Sequence, residues 1–179
     1  MKKIYLIAFR GTGFRDEKFV GEDTLIRAGH VGFSFEGDDA SILGFHPTQK
    51  AVEDVGGEAA AISWLREKKI LDGIVQQDYS VFTRAAELVK QGARTHVWQF
   101  VVEVDDETFE RIRQQALQWY NEEMVFPYAF PPDEPKVDRD NCATFPRRLG
   151  LPIFDPVGQI KDYVRVLEEQ GQPWSPKGT

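Results

Sequence analysis

Cysteine is all but absent from this chain: Cys142 is the one thiol in 179 residues. That excludes an intramolecular disulfide, so the fold must be held by its core alone. Histidine is nearly as scarce, with three: His30, His46 and His96. Long apolar runs are missing too. The opening stretch from Ile4 to Phe9 is interrupted by Arg10, short of the about 7–15 apolar residues of a secretory core and without a convincing small-residue cleavage site after it. No segment approaches the ~20 apolar residues of a membrane span. The expectation is a protein with no signal peptide and no stable membrane insertion, cytoplasmic or secreted by a signal-independent route. Basic residues are outnumbered, 22 Lys and Arg against 29 Asp and Glu, for a net charge of −7. This excludes the clustered positive footprint of a nucleic-acid binder.

What remains suits one soluble domain over residues 1–179, with enough apolar residues (41%) to fill a sizeable core. Ile4–Phe9 reads as a first strand. Gly11-Thr12-Gly13 then reads as a turn, because the Lys-Ser/Thr of a phosphate loop and the third glycine of a dinucleotide fingerprint are both missing. Residues 30–35 alternate His30, Gly32 and Ser34 with Val31, Phe33 and Phe35, the period of a half-buried strand. Ile42–His46 is the return strand. A turn centred on Asp38 puts His30 directly opposite His46, whereas a slip of one residue would send the two histidines to opposite faces. Gly32, on the face of His30, leaves room for a substrate above the sheet.

Further along, residues 58–69 and Tyr79–Lys90 read as helices, and 50–95 as a helical insertion bounded near Gly56-Gly57. Val97–Val104 is nearly continuous in apolar residues, the pattern of a central strand. Asp105-Asp106-Glu107 starts a helix whose stripe is Phe109, Ile112, Ala116, Trp119 and Tyr120. Phe126–Asp138 holds four of the ten prolines and is expected to be irregular. Cys142–Leu149 reads as a short helix stopped by Gly150 and Pro152, and Val157–Gln170 as a last helix before a loose tail, Pro173–Thr179.

A free cysteine is usually a small buried hydrophobe. Cys142 differs in its setting, because it follows Asp138-Arg139-Asp140-Asn141 and opens a helix. Asp140 or Asn141 can cap that helix and leave backbone N–H groups near the sulfur. Such a site lowers a thiol pKa from about 8.5, and the same N–H groups can bind an oxyanion. One thiol and two paired histidines are the minimum kit for a thiol hydrolase. On that reading Cys142 alkylates rapidly in mildly acidic solution, and His30→Ala slows the reaction.

The string Gly29-His30-Val31-Gly32-Phe33-Ser34-Phe35, a turn, and then Gly44-Phe45-His46-Pro47 resembles the histidine hairpin of the circularly permuted papain-like enzymes. These belong to the NlpC peptidase superfamily and include the lecithin retinol acyltransferase group. Asn141-Cys142-Ala143-Thr144-Phe145 resembles their nucleophile motif, and Gln114–Tyr128 their preceding helix and tyrosine loop. The resemblance covers 28–47 and 97–150. It implies an α+β, permuted papain-like (NlpC-like) fold: an antiparallel sheet packed against helices, with the nucleophile at a helix N-terminus.

The resemblance also implies roles. Cys142 is the nucleophile and His30 its base, while His46 hydrogen-bonds the other ring nitrogen of His30. Tyr128 and Asn141 serve the oxyanion and substrate positioning, with no cofactor and no metal. The implied activity is a cysteine amidase or endopeptidase on peptidoglycan peptides, in an exported antibacterial effector with an inhibitor (immunity) protein as partner. An acyltransferase, deacylase or thioesterase on lipid or protein acyl groups is the alternative, although Ala143-Thr144 departs from the acidic and histidine residues of the acyltransferase group. Two other classes stay open: a zinc protein using His30, His46, His96 and Cys142, which lack paired metal-ligand spacing, and a non-catalytic interaction domain.

Overall fold

Lys2–Arg10 forms the first strand, β1, with Ile4, Leu6, Ile7, Ala8 and Phe9 all buried. Apolar side chains on both of its faces mean that both faces must be covered. The computed structural model describes residues 1–11, 28–35, 41–67, 69–130, 140–151, 165 and 168–176. In chain order the elements after β1 are β2 (Gly29–Ser34), β3 (Leu43–Pro47), α1 (Gln49–Asp54), α2 (Glu58–Arg66), β4 (Leu71–Gln77) and α3 (Tyr79–Lys90). They continue with β5 (Val97–Val104), α4 (Asp106–Asn121), β6 (Phe126–Tyr128), α5 (Phe145–Arg148) and β7 (Gln172–Pro173). The protein is α+β, and its seven strands make one sheet in the order β6-β4-β3-β2-β1-β5-β7, every neighbour antiparallel.

Two apolar layers flank this sheet. On one face Leu6, Val31, Phe33, Phe45 and Val102 pack with Phe109, Ile112 and Ala116 of α4 and with Phe145 of α5. On the other face Ile7, Phe9 and Ile42 pack with Phe82, Ala85 and Leu88 of α3 and with Trp174. Strand β2 runs between the layers and is buried at all six positions. The half-buried strand expected for 30–35 is therefore a fully covered one, because α3 closes the face that the alternation suggested was open.

The histidine hairpin keeps its expected register. Gly32 pairs with Gly44 and Phe33 with Leu43, and continuing that register sets His30 across from His46. Its turn at 36–40 lies outside the described residues. Helix α4 follows its sequence signals closely: Asp105 caps it by accepting the Thr108 N–H at 2.8 Å, and Phe109, Ile112 and Ala116 are its buried stripe.

Other expectations change. Residues 50–95 are not a purely helical insertion, because β4 lies within them and pairs with β3 on one side and β6 on the other. Strand β5 is not central; it sits one place from the edge, flanked by the two-residue β7. Phe126–Tyr128 forms a strand despite Pro127, which it tolerates at the sheet edge. The rest of that proline-rich stretch, 131–139, lies outside the described residues, as does most of the helix expected over 157–170. The tail is tied down as far as it is described: the Trp174 N–H donates to the Val97 carbonyl at 2.8 Å, and the ring packs edge-on against Phe82. Among the described residues no helix is long and apolar enough to cross a membrane.

Candidate functional site

Asp78 sits at the junction of β4 and α3. Its backbone N–H donates to the Ile42 carbonyl at 2.9 Å, and its carbonyl accepts the Val81 and Phe82 N–H groups of α3. An aspartate in that place would ordinarily cap the helix, but this side chain makes no capping bond. It turns inward instead, fully buried, and lies over the backbone of Gly44. An ideal Cβ at Gly44 would stand 1.6 Å from Asp78 Oδ2, so only glycine leaves room for the carboxylate. His30 Nε2–H donates to Oδ2 at 2.6 Å, and His46 Nε2–H donates to Oδ1. One buried carboxylate thus bridges both histidines of the hairpin, whose ring centroids are 4.4 Å apart.

This corrects two expectations. His46 does not hydrogen-bond the second nitrogen of His30; Asp78 stands between them. Nor does Gly32 leave room for a substrate, because Phe82 of α3 fills that space, 2.7 Å from where a Cβ would be.

The charges follow from the burial. Burial pushes the Asp78 carboxyl up, but the charge of His30 and His46 and their two hydrogen bonds more than offset it, holding it at about 2. Burial likewise lowers His30 against the attraction of Asp78. The first effect favours the carboxylate form of Asp78, and the second the neutral form of His30. With Nε2–H committed to Asp78, Nδ1 of His30 carries the lone pair. That nitrogen is buried and has no hydrogen-bond partner among the described residues.

Cys142 reaches the same place from the other end of the chain. Asp140 is anchored beside β6: the Ala129 N–H donates to its carbonyl at 2.9 Å, its own N–H donates to Pro127 at 3.2 Å, and Arg148 Nε–H donates to its carboxylate at 2.6 Å. Phe145 stacks on Phe45 with centroids 4.2 Å apart, pinning the next turn to β3. Strands β2 and β3 are paired only at Gly32–Gly44 and Phe33–Leu43. The Val31 N–H, one residue beyond the last pair, hydrogen-bonds the Cys142 sulfur instead. The thiol therefore lies beside the residue that follows His30, close enough for the charge of Asp78 to act on it.

Cys142 is not at the start of a helix as expected. Residues 142–144 form turns, and α5 is a helix of four residues that begins at Phe145. Asn141 caps the turn: its Oδ1 accepts the Ala143 and Thr144 N–H groups, each at 2.9 Å. Its oxygen is thereby spent on the loop. Tyr128 is buried, and the Cys142 N–H bonds its phenolic oxygen; burial nevertheless raises the phenol well above its ordinary value. His96 stands apart, exposed at the start of β5 beside Trp98.

The thiol is also not activated at rest. Burial pushes Cys142 up to about 12, and the N–H groups of Val31, Cys142 and Ala143 offset only part of that. Slow alkylation in mildly acidic solution is accordingly expected, in place of the rapid reaction that the sequence suggests. The same shift predicts an alkaline instability. The unfolded thiol ionises near 9 and the folded one near 12, so stability is intact below pH 9 and falls as pH rises through that window, by up to about 4 kcal/mol. Urea denaturation at about pH 8 and about pH 10.5 is expected to show a larger loss for the wild type than for Cys142→Ala. Equal losses would mean that the folded thiol ionises normally.

Among the described residues the group that could hold a metal ion is His30, His46 and Asp78, not the four-residue zinc set suggested by the sequence. Its geometry is that of hydrogen bonds. Two donors on a tetrahedral zinc stand about 3.3 Å apart, against 2.6 Å from His30 to Asp78. A metal-bound imidazole also anchors its other nitrogen, which His30 Nδ1 does not do. No protein-family model, curated protein or solved structure matches the chain.

Proposed function

We propose that this protein is a cysteine hydrolase built on a permuted papain-like scaffold, with Cys142 as nucleophile and His30 as general base. The observation that carries this reading is the buried Nδ1 lone pair of His30, unpartnered among the described residues, on the residue next to the one whose N–H holds the Cys142 sulfur. Support also comes from the order of His30, His46 and Cys142 along the chain and from an antiparallel sheet covered by helices.

The chemistry starts from a neutral thiol. As Sγ attacks a substrate carbonyl, its proton passes to His30 Nδ1 and the carbonyl π electrons move to oxygen. The Tyr128 hydroxyl and the Cys142 N–H, bonded to each other at rest, become the two donors for that oxyanion. Collapse expels the leaving group, which takes the Nδ1 proton and leaves an acyl thioester on Cys142. Water deprotonated by His30 then releases the acid and frees the thiol.

The substrate we favour is a peptidoglycan peptide, cleaved as an amide, and this choice rests on the resemblance of the two motifs. Acyl transfer or deacylation on lipid or protein acyl groups uses the same thioester and is the alternative. Incubation with muropeptides and with acyl esters and thioesters, followed by intact-mass analysis, is expected to give cleaved peptide and an acyl adduct on Cys142. An adduct formed only from the esters would shift the reading to acyl transfer. No adduct and no cleavage in either series would overturn it.

A further inference from the structure

We infer that Asp78 is the positioning residue for His30, and that His46 acts on His30 only through Asp78. The inference rests on the cysteine-hydrolase reading for its catalytic meaning, but its geometry stands apart from it. Each carboxylate oxygen of Asp78 takes one histidine Nε2–H. His46 Nε2 is thereby occupied and does not donate to His30, and the two rings are tilted by 37° with centroids 4.4 Å apart. The carboxylate cannot swing away to free either ring. The Asp78 backbone is bonded to Ile42 beside β3 and starts α3, and the Gly44 backbone lies directly beneath the side chain.

Two consequences follow for the base. A carboxylate accepts and cannot donate, so His30 must present N–H at Nε2 and its lone pair at Nδ1. When Nδ1 takes the thiol proton, the imidazolium keeps its Nε2–H on an anion 2.6 Å away, in a site where burial makes an unpaired cation costly. His46 adds a second donor that keeps Asp78 ionised. The groups facing Asp78 are therefore His30 from β2, His46 from β3 and, at longer range, Cys142 and Tyr128. Among the described residues no Lys or Arg is paired with it.

Asp78→Asn tests the claim. Its amide can accept from one histidine but presents N–H to the other, so one ring must change tautomer. With the peptide or ester that wild type cleaves, kcat is expected to fall on the order of 10³–10⁴-fold with KM nearly unchanged. Ring-nitrogen NMR is expected to show at least one of His30 and His46 losing its single Nε2–H tautomer. His46→Gln keeps an N–H donor for Asp78 and is expected to lower kcat by no more than about tenfold, with the His30 tautomer intact. A loss from His46→Gln as deep as that from Asp78→Asn would overturn the inference, as would unchanged tautomers of both rings in Asp78→Asn. The NMR signature is read without any substrate. If it behaves as expected while wild type cleaves nothing, the hydrolase reading falls and the positioning stands. Should Asp78→Asn not fold, the His46→Gln tautomer alone decides.

Discussion

Gly44→Ala is expected to remove about 3–5 kcal/mol of folding stability and to dismantle the His30–Asp78–His46 group. The new methyl would stand 1.6 Å from Asp78 Oδ2, 2.7 Å from its Cγ and 2.8 Å from His30 Nε2. Something must move, and none of the neighbours can move cheaply. Shifting the carboxylate strips two buried imidazole N–H groups of their acceptor. Shifting the backbone pulls Gly44 from its pairs with Gly32 and Gln76 in the middle of the sheet. The cost is therefore overpacking together with a broken buried network. A double-mutant cycle separates the two: in an Asp78→Ala background the Gly44→Ala cost is expected to fall below about 2 kcal/mol. Urea denaturation midpoints of the four proteins give this directly, and equal costs in both backgrounds would place the strain elsewhere.

The local elements were legible in the sequence where one signal dominated. The apolar stripe and acidic first turn of α4 marked that helix, and the Gly32–Gly44 pair selects, between the two hairpin registers weighed, the one centred on Asp38. The pairing of His30 with His46 followed from that register alone. What escaped depended on contacts distant in the chain. Leu71–Gln77 mixes Asp72, Gly73, Gln76 and Gln77 among its apolar residues, so neither period is clean, and it becomes a strand because β3 and β6 flank it. Missing β4 meant missing Asp78 at its end, a residue that reads as a helix cap and is used as a buried acceptor. Cys142 illustrates the opposite error. Its polar flank suggested a charged thiolate at a helix start, yet Asn141 Oδ1 consumes the next two N–H groups and Cys142 is 2% exposed. Local sequence can report a polar neighbour; it cannot report how many other elements close over it.

Cys142→Ala is expected to abolish hydrolysis, with a fall in kcat on the order of 10⁴-fold or more, because no acyl thioester can form. Cys142→Ser separates the two ways in which the site could use its thiol. A preformed thiolate–imidazolium pair would make the thiol reactive without substrate and set the acid limb of the rate profile at the thiol pKa. The burial that pushes Cys142 up to about 12 and lowers His30 argues for the other way, in which neutral His30 takes the proton as the bond forms. Three results are then expected. Iodoacetamide modifies free Cys142 slowly in mildly acidic solution. The acid limb of kcat/KM lies below 6.5, the ordinary histidine value, because burial keeps His30 neutral and competent as a base further down in pH. Cys142→Ser, whose hydroxyl also needs its proton removed during attack, retains activity measurable above that of Cys142→Ala. Rapid alkylation in mild acid, with an acid limb that Asp78→Asn leaves in place and a serine variant as dead as the alanine one, would establish the ion pair instead. In that case the carboxylate between the two histidines would serve the fold and not the proton.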